Sequence, residues 1–178
     1  MRVAIVYESL FGNTREIAEA IAAGVADARP DAAVELLRVG EADPAQAAQA
    51  SLLIVGGPTH MRGMTRSMSR KLGISSEAKK TPGEGHEVHE PEPGAEAAGV
   101  RDWLHRLPKT DPGHSAAAFD TRIDARLAGG AAPGIAHRLR SAGYDLIAEP
   151  EGFVVEDAEG PLRAGEQDRA RSWAAELT

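Results

Sequence analysis

The run from Arg2 to Arg15, R-V-A-I-V-Y-E-S-L-F-G-N-T-R, constrains the fold more than any other stretch of the chain. Arg2 to Tyr7 is a β-branched apolar run of strand length, whereas from Glu16 onward the apolar side chains Ile17, Ile21 and Val25, flanked by Ala18 and Ala22, recur at helical spacing. The period changes from two to about 3.6 across one short loop. Where a strand feeds a helix in this way, the first helical N–H groups lack intrahelical partners and the helix dipole turns its positive end outward, so the junction favours an anion. Ser9 and Thr14 add hydroxyl donors there, and Gly12 allows close backbone approach.

Ser9, Asn13 and Thr14 are also ordinary helix-capping residues, and capping alone would explain them. The loop has neither the G-x-x-x-x-G-K-[ST] of a triphosphate site nor the G-x-G-x-x-G of a dinucleotide site. With 178 residues and 42% hydrophobic content the chain is long enough for one domain with a sizeable core, and no run approaches the ~18 apolar residues of a membrane span. The chain opens on the first strand, with no signal-type segment ahead of it, and a cytoplasmic location is expected. A net charge of −7 argues against nucleic acid as a partner. Zero cysteines exclude disulfides, thiolate nucleophiles and cysteine-held metal clusters, so redox chemistry would need a bound cofactor.

Beyond the first helix, strand and helix patterns alternate, which predicts an α/β fold with a parallel sheet covered on both faces. Val34 to Val39 reads as a second strand, Ser51 to Gly57 as a central third and Ser115 to Phe119 as a fourth. Asp145 to Ala148 begins a fifth, continued after a Pro150-Glu151-Gly152 turn by Phe153 to Val155. Helices are predicted over Thr14 to Ala28, Ala97 to Leu107, Ala131 to Ala142 and Gly165 to Leu177.

The loop Ser9-Leu10-Phe11-Gly12-Asn13-Thr14 resembles the S/T-x-T-G-x-T phosphate loop of flavodoxins and flavodoxin-like proteins, with Phe11 where a Thr hydroxyl is usual. Gly56-Gly57-Pro58-Thr59-His60-Met61-Arg62-Gly63, after the third strand, resembles the G-x-P-T loop that packs against the flavin in that family. The resemblance implies a three-layer, doubly wound, five-stranded parallel sheet of order 2-1-3-4-5 in a single domain, with FMN at the carboxyl ends of the strands. It assigns the FMN phosphate to Ser9, Leu10, Phe11, Gly12, Asn13 and Thr14. One side of the ring falls to Pro58, Thr59, His60, Met61 and Arg62, and the other to Phe119, Asp120, Thr121 and Arg122, the loop expected after the fourth strand. No Tyr or Trp falls in these loops to stack on the ring, which predicts weaker FMN binding than in a tyrosine-flanked carrier. Trp103 and Trp173 lie in predicted helices and read as packing residues.

Arg62, Arg66 and Arg122 fall in loops expected to rim the flavin, with Arg70 and Lys71 close behind, so a mixed or basic rim is expected. Residues 75–99, rich in Pro, Gly and Glu, read as a flexible insertion. His86 and His89 sit there among glutamates, a setting without the rigid outer shell a metal site requires. His105, His114 and His137 read as surface or strand-edge residues.

A phospho-accepting receiver shares the strand order but needs an Asp at the end of the third strand, where this chain has Gly56-Gly57-Pro58. No Ser-His-Asp or paired-carboxylate spacing supports a hydrolase. The expectation is an FMN-binding redox protein that passes electrons between a reductase or ferredoxin-like donor and an acceptor, with no catalytic residue of its own. An FMN-dependent NAD(P)H:quinone-type reductase acting on a small-molecule acceptor and a flavin-free binding module are the alternatives.

Overall fold

The computed structural model describes residues 1–60, 63–65, 91–92, 99–111, 113–124, 129–157 and 159–178. In chain order the elements are β1 (Arg2–Tyr7), α1 (Asn13–Ala28), β2 (Ala33–Arg38), α2 (Pro44–Ala47), β3 (Leu52–His60), β4 (Gly63–Met64), α3 (Val100–Arg106), β5 (Ser115–Ile123), α4 (Ala131–Ser141), β6 (Asp145–Leu146), β7 (Glu151–Val155) and α5 (Glu166–Glu176). The parallel sheet runs β2-β1-β3-β5, and its fifth position is shared by β6 and β7. β6 pairs with Ser115 and Ala116, and β7 with Phe119 to Ile123. Apart from the short antiparallel β4 at the end of β3, this is the expected 2-1-3-4-5 order. The broken fifth strand follows from Pro150, which interrupts the ladder just before β7.

Strand alternation sorts the core into two halves. Val3, Ile5 and Tyr7 of β1, Leu52 and Ile54 of β3 and Ala117 and Phe119 of β5 pack against Ile17, Ile21 and Val25 of α1 and Ala170 and Ala174 of α5. Ala4 and Val6, Leu53 and Val55, and Ala116 and Ala118 point the other way, onto Val100, Trp103 and Leu104 of α3 and Ile135 and Leu139 of α4. The two layers of helices are the reason the central strands are continuously apolar. Both tryptophans do pack: Trp103 is fully buried and donates its indole N–H to the Ala42 carbonyl at 2.8 Å, and Trp173 rests edge-on against Phe153.

Two strands outrun their predicted ends. β3 extends through Pro58, Thr59 and His60, and β5 through Asp120 to Ile123, because the two pair residue for residue up to Pro58 and Thr121 while β7 supports the far side of β5. Pro58 is accommodated near the end of the β3–β5 ladder, and Thr59 and His60 then turn back on Met64 and Gly63 as a hairpin. The stretch expected as a loop after the fourth strand is therefore strand. Of the predicted insertion over 75–99, only residues 91–92 and 99 are described, and the helix expected from Ala97 begins at Val100.

Candidate phosphate loop and strand-end site

Gly12 is the N-cap of the 16-residue helix α1 and has φ of 95°, a left-handed conformation open to glycine at little cost. No side chain caps this helix, so the capping explanation of Ser9, Asn13 and Thr14 does not hold. Each is engaged elsewhere. Ser9 Oγ accepts from the Gly12 N–H at 3.1 Å and so curls the loop on itself. Asn13 Nδ2 donates to the Glu159 carbonyl at 2.8 Å, bringing the chain before α5 up to the loop. The hydroxyls of Thr14 and Thr121 lie 2.8 Å apart, one donating to the other. Ser9 and Thr14 are buried, as is the Leu10 side chain, and Phe11 is half-buried. A long helix whose positive end carries no internal carboxylate or hydroxyl cap, entered through a left-handed glycine, suits a phosphate group.

On the outer flank of this loop, Glu92 links two arginines. Its carboxylate accepts from Arg15 Nε at 2.6 Å and from Arg38 Nη2 at 2.5 Å, while its backbone N–H donates to the Leu10 carbonyl at 2.8 Å. The Glu92 and Glu19 carboxylates hold the Arg15 guanidinium proton well above its usual range.

Across the strand ends, two carboxylates lie beneath α3 and α4. Glu8 extends the Ala4, Val6 face of β1 and accepts from the Thr65 hydroxyl and from the Val100 N–H, the latter at 2.8 Å. It thereby joins the β3–β4 hairpin to the start of α3. Asp120 extends the Ala116, Ala118 face of β5 and accepts from the Ala132 N–H at 2.8 Å. It serves as the N-terminal cap of α4 from a different element. Thr59 completes this corner, its Oγ1 accepting from the Ala131 N–H at 2.9 Å and its hydroxyl turned to Asp120. Burial pushes the Asp120 carboxyl above its ordinary value, against the opposing pull of the Ala132 N–H and the Arg122 guanidinium 3.5 Å away.

Of the predicted site residues, the fold gathers Ser9, Gly12, Asn13, Thr14, Pro58, Thr59, Asp120 and Thr121 at the carboxyl ends of β1, β3 and β5. Phe119 is a correction: it is fully buried, edge-on to Phe153, with its ring over Gly56, where even one added methyl carbon would lie 2.1 Å from a ring carbon. It belongs to the core, because strand alternation turns it to the α1 side well before the strand ends. Arg122 packs across Gly152 and beside Asp120 instead of standing free at a rim. Met61 and Arg62, with Arg66, Arg70, Lys71, His86 and His89, lie outside the described residues, and of His60 the backbone alone is described.

Glu8, Glu92 and the capping role of Asp120 escaped sequence reasoning. For Glu8 the available signal was a carboxylate continuing an apolar strand at even spacing. Nothing local marked Glu92, whose partners are 77 and 54 residues away.

The sheet order and the helices on both of its faces give the chain a flavodoxin-like doubly wound α/β fold. Among solved structures, oxidised flavodoxin 1 from Bacillus cereus superposes with a TM-score of 0.66 at 14% identity, covering 99% of this chain and 97% of that one. Flavodoxin 2 from the same organism gives 0.66 at 20% identity, covering 99% and 97%. Two-electron reduced Megasphaera elsdenii flavodoxin gives 0.57 at 20%, covering 98% of each chain. No family model and no curated protein sequence matches the chain. Among the described residues no helix is long and apolar enough to cross a membrane.

Proposed function

We propose that the protein binds FMN and carries electrons between a reductase or ferredoxin-like donor and an acceptor in the cytoplasm. The observation that carries this reading is the uncapped N-terminus of α1, entered through left-handed Gly12 with the Ser9 and Thr14 hydroxyls buried beside it. Ser9 to Thr14 would hold the phosphate. The strand-end residues Pro58, Thr59 and Thr121, which the β3–β5 ladder and the Thr14 contact bring next to that loop, would support the flavin. Bound FMN supplies one- and two-electron transfer, and the chain's part is to bind it, orient it and set its electrostatic surroundings.

Glu8 and Asp120 act in that role by bracing the strand ends, each fastening a helix start to its strand. Neither is placed to exchange protons with a substrate, since both side chains are buried within the corners they hold. The whole-chain likeness to flavodoxins supports the same reading at the level of the fold.

The test is to load the protein with FMN and follow flavin absorbance anaerobically. With NAD(P)H and a quinone alone the flavin stays oxidised, and adding an NAD(P)H-dependent flavodoxin reductase reduces it. Direct NAD(P)H oxidation coupled to the quinone would instead make the protein a stand-alone reductase.

A further inference from the structure

Among the described residues, the Lys and Arg side chains that form no ion pair are Arg101, Arg106, Lys109, Arg138 and Arg140, and all of them sit on α3, on α4 or just beyond the end of α3. Every other described arginine lies within 3.5 Å of a carboxylate. α4 carries no acidic residue, and α3 carries Asp102 alone. In a chain of net charge −7, the cations of one helical layer are thus left without internal carboxylate partners. Two of the arginines are fixed in place without being neutralised. Arg101 Nη2 donates to the Met64 carbonyl at 3.3 Å, while its Nε is buried with no hydrogen-bond partner. Arg138 Nη1 lies 3.2 Å from His105 Nδ1, and because a guanidinium only donates, the ring nitrogen accepts. That contact joins α3 to α4. The same face begins at the strand ends, since Met64 belongs to the β3–β4 hairpin and a methyl carbon built on Gly134 of α4 would come 3.1 Å from Met64 Cε.

We propose that the exposed face of α3 and α4, extended by Lys109, docks an acidic redox protein through a cluster of carboxylates on that partner. This rests on the reading of the protein as an electron carrier, and it sets the partner beside the β3–β4 hairpin, whose Thr59 that reading puts at the flavin. None of these cations has an internal carboxylate to give up, so the partner's carboxylates meet them without breaking an ion pair. The 11 residues of α4 span about 17 Å and packed helices lie ~8–10 Å apart, so the cations fit within the roughly 800 Å² that one partner buries in an interface of standard size. A protein suits this face better than a lipid surface or a nucleic acid. The exposed large apolar side chains among the described residues, Met1, Ile123 and Ile147, all lie off α3 and α4, and Trp103 is buried, which leaves neither an apolar wedge for a bilayer nor a ring to stack on a base.

The experiment is calorimetric titration of the FMN-loaded and the flavin-free protein with an acidic plant-type ferredoxin, at low and at physiological ionic strength. The Arg138→Gln, Arg140→Gln double variant is expected to bind the ferredoxin about tenfold more weakly than the natural chain at low salt, with a smaller dependence on salt and an unchanged affinity for FMN. The Arg163→Gln, Arg171→Gln double variant removes the same charge from the α5 side, where both arginines are already paired, and should change the affinity little. Unfolding midpoints establish that all three chains are folded. Equal affinity of the α4 variant and the natural chain, an equal loss in the two variants, or no binding of the ferredoxin at all overturns the proposal. Tighter binding of phosphatidylserine vesicles or duplex DNA than of ferredoxin, lost in the α4 variant, overturns it too. If the chain takes up no FMN while the flavin-free α4 variant still loses ferredoxin affinity, the electron-carrier reading fails and the docking face stands.

Discussion

The hydroxyls of Thr14 and Thr121, 107 residues apart in the chain, lie 2.8 Å from one another and are both buried, which ties the first turn of α1 to the far end of β5. Neither hydroxyl faces water, so each has the other as a replacement for a lost water partner. Replacing one by Val strands the other, whereas replacing both removes the polar pair and keeps its shape. Thr14→Val and Thr121→Val should each cost about 1–2 kcal/mol in urea unfolding, and the double variant less than the sum of the two.

The cost of altering Gly12 should fall on both stability and binding. Alanine at a backbone φ of 95° is strained, at roughly 1–2 kcal/mol. Gly12→Ala should lower the unfolding midpoint by that amount. It should also weaken FMN more than riboflavin, since the distortion falls in the proposed phosphate loop. Equal losses for the two flavins would place the phosphate elsewhere.

Glu8 holds two elements at once, so its loss should be severe for a residue outside the apolar core. Glu8→Ala leaves the Val100 N–H and the Thr65 hydroxyl without their buried acceptor, with an expected cost of about 3 kcal/mol in chemical denaturation. Hydrogen exchange should locate the loosening at Val100 and the start of α3.

Much of this arrangement can be read in the residues, and the unread part has a common cause. β1, α1 and the strand order are local and periodic: Ile17, Ile21 and Val25 announce a buried helix face, and the Gly12 turn marks where it begins. β3 and β5 run past the ends expected from the sequence because Gly57 and Pro58 are turn formers by themselves, and only pairing with Asp120 and Thr121 keeps them extended. Phe119 lies in the core and not at a ring site for the same reason, since a strand that continues turns it inward. Glu92 and Asp120 depend on partners brought near by the fold, and no spacing along the chain encodes those distances.

Asp120 gives the structure a distinct pH signature. Burial raises its folded pKa above the value in the unfolded chain, so the folded state binds the proton more tightly and stability falls as pH rises from about 4 toward the folded pKa. Asp120→Asn, which can still accept from the Ala132 N–H, removes this dependence. The stability of the variant relative to the natural chain should therefore grow with pH across that window and level off above it, as read from denaturation midpoints at a series of pH values. A flat difference would mean that Asp120 titrates as it does when unfolded.

Whether the Gly12 end of α1 holds the phosphate of FMN is decided by a paired titration. Flavin-free protein is titrated with FMN and with riboflavin while flavin fluorescence is followed. Quenching by FMN at far lower concentration than by riboflavin is the predicted result. Equal affinity for the two flavins, or no quenching by either, would contradict the assignment of Ser9 to Thr14 as the phosphate loop.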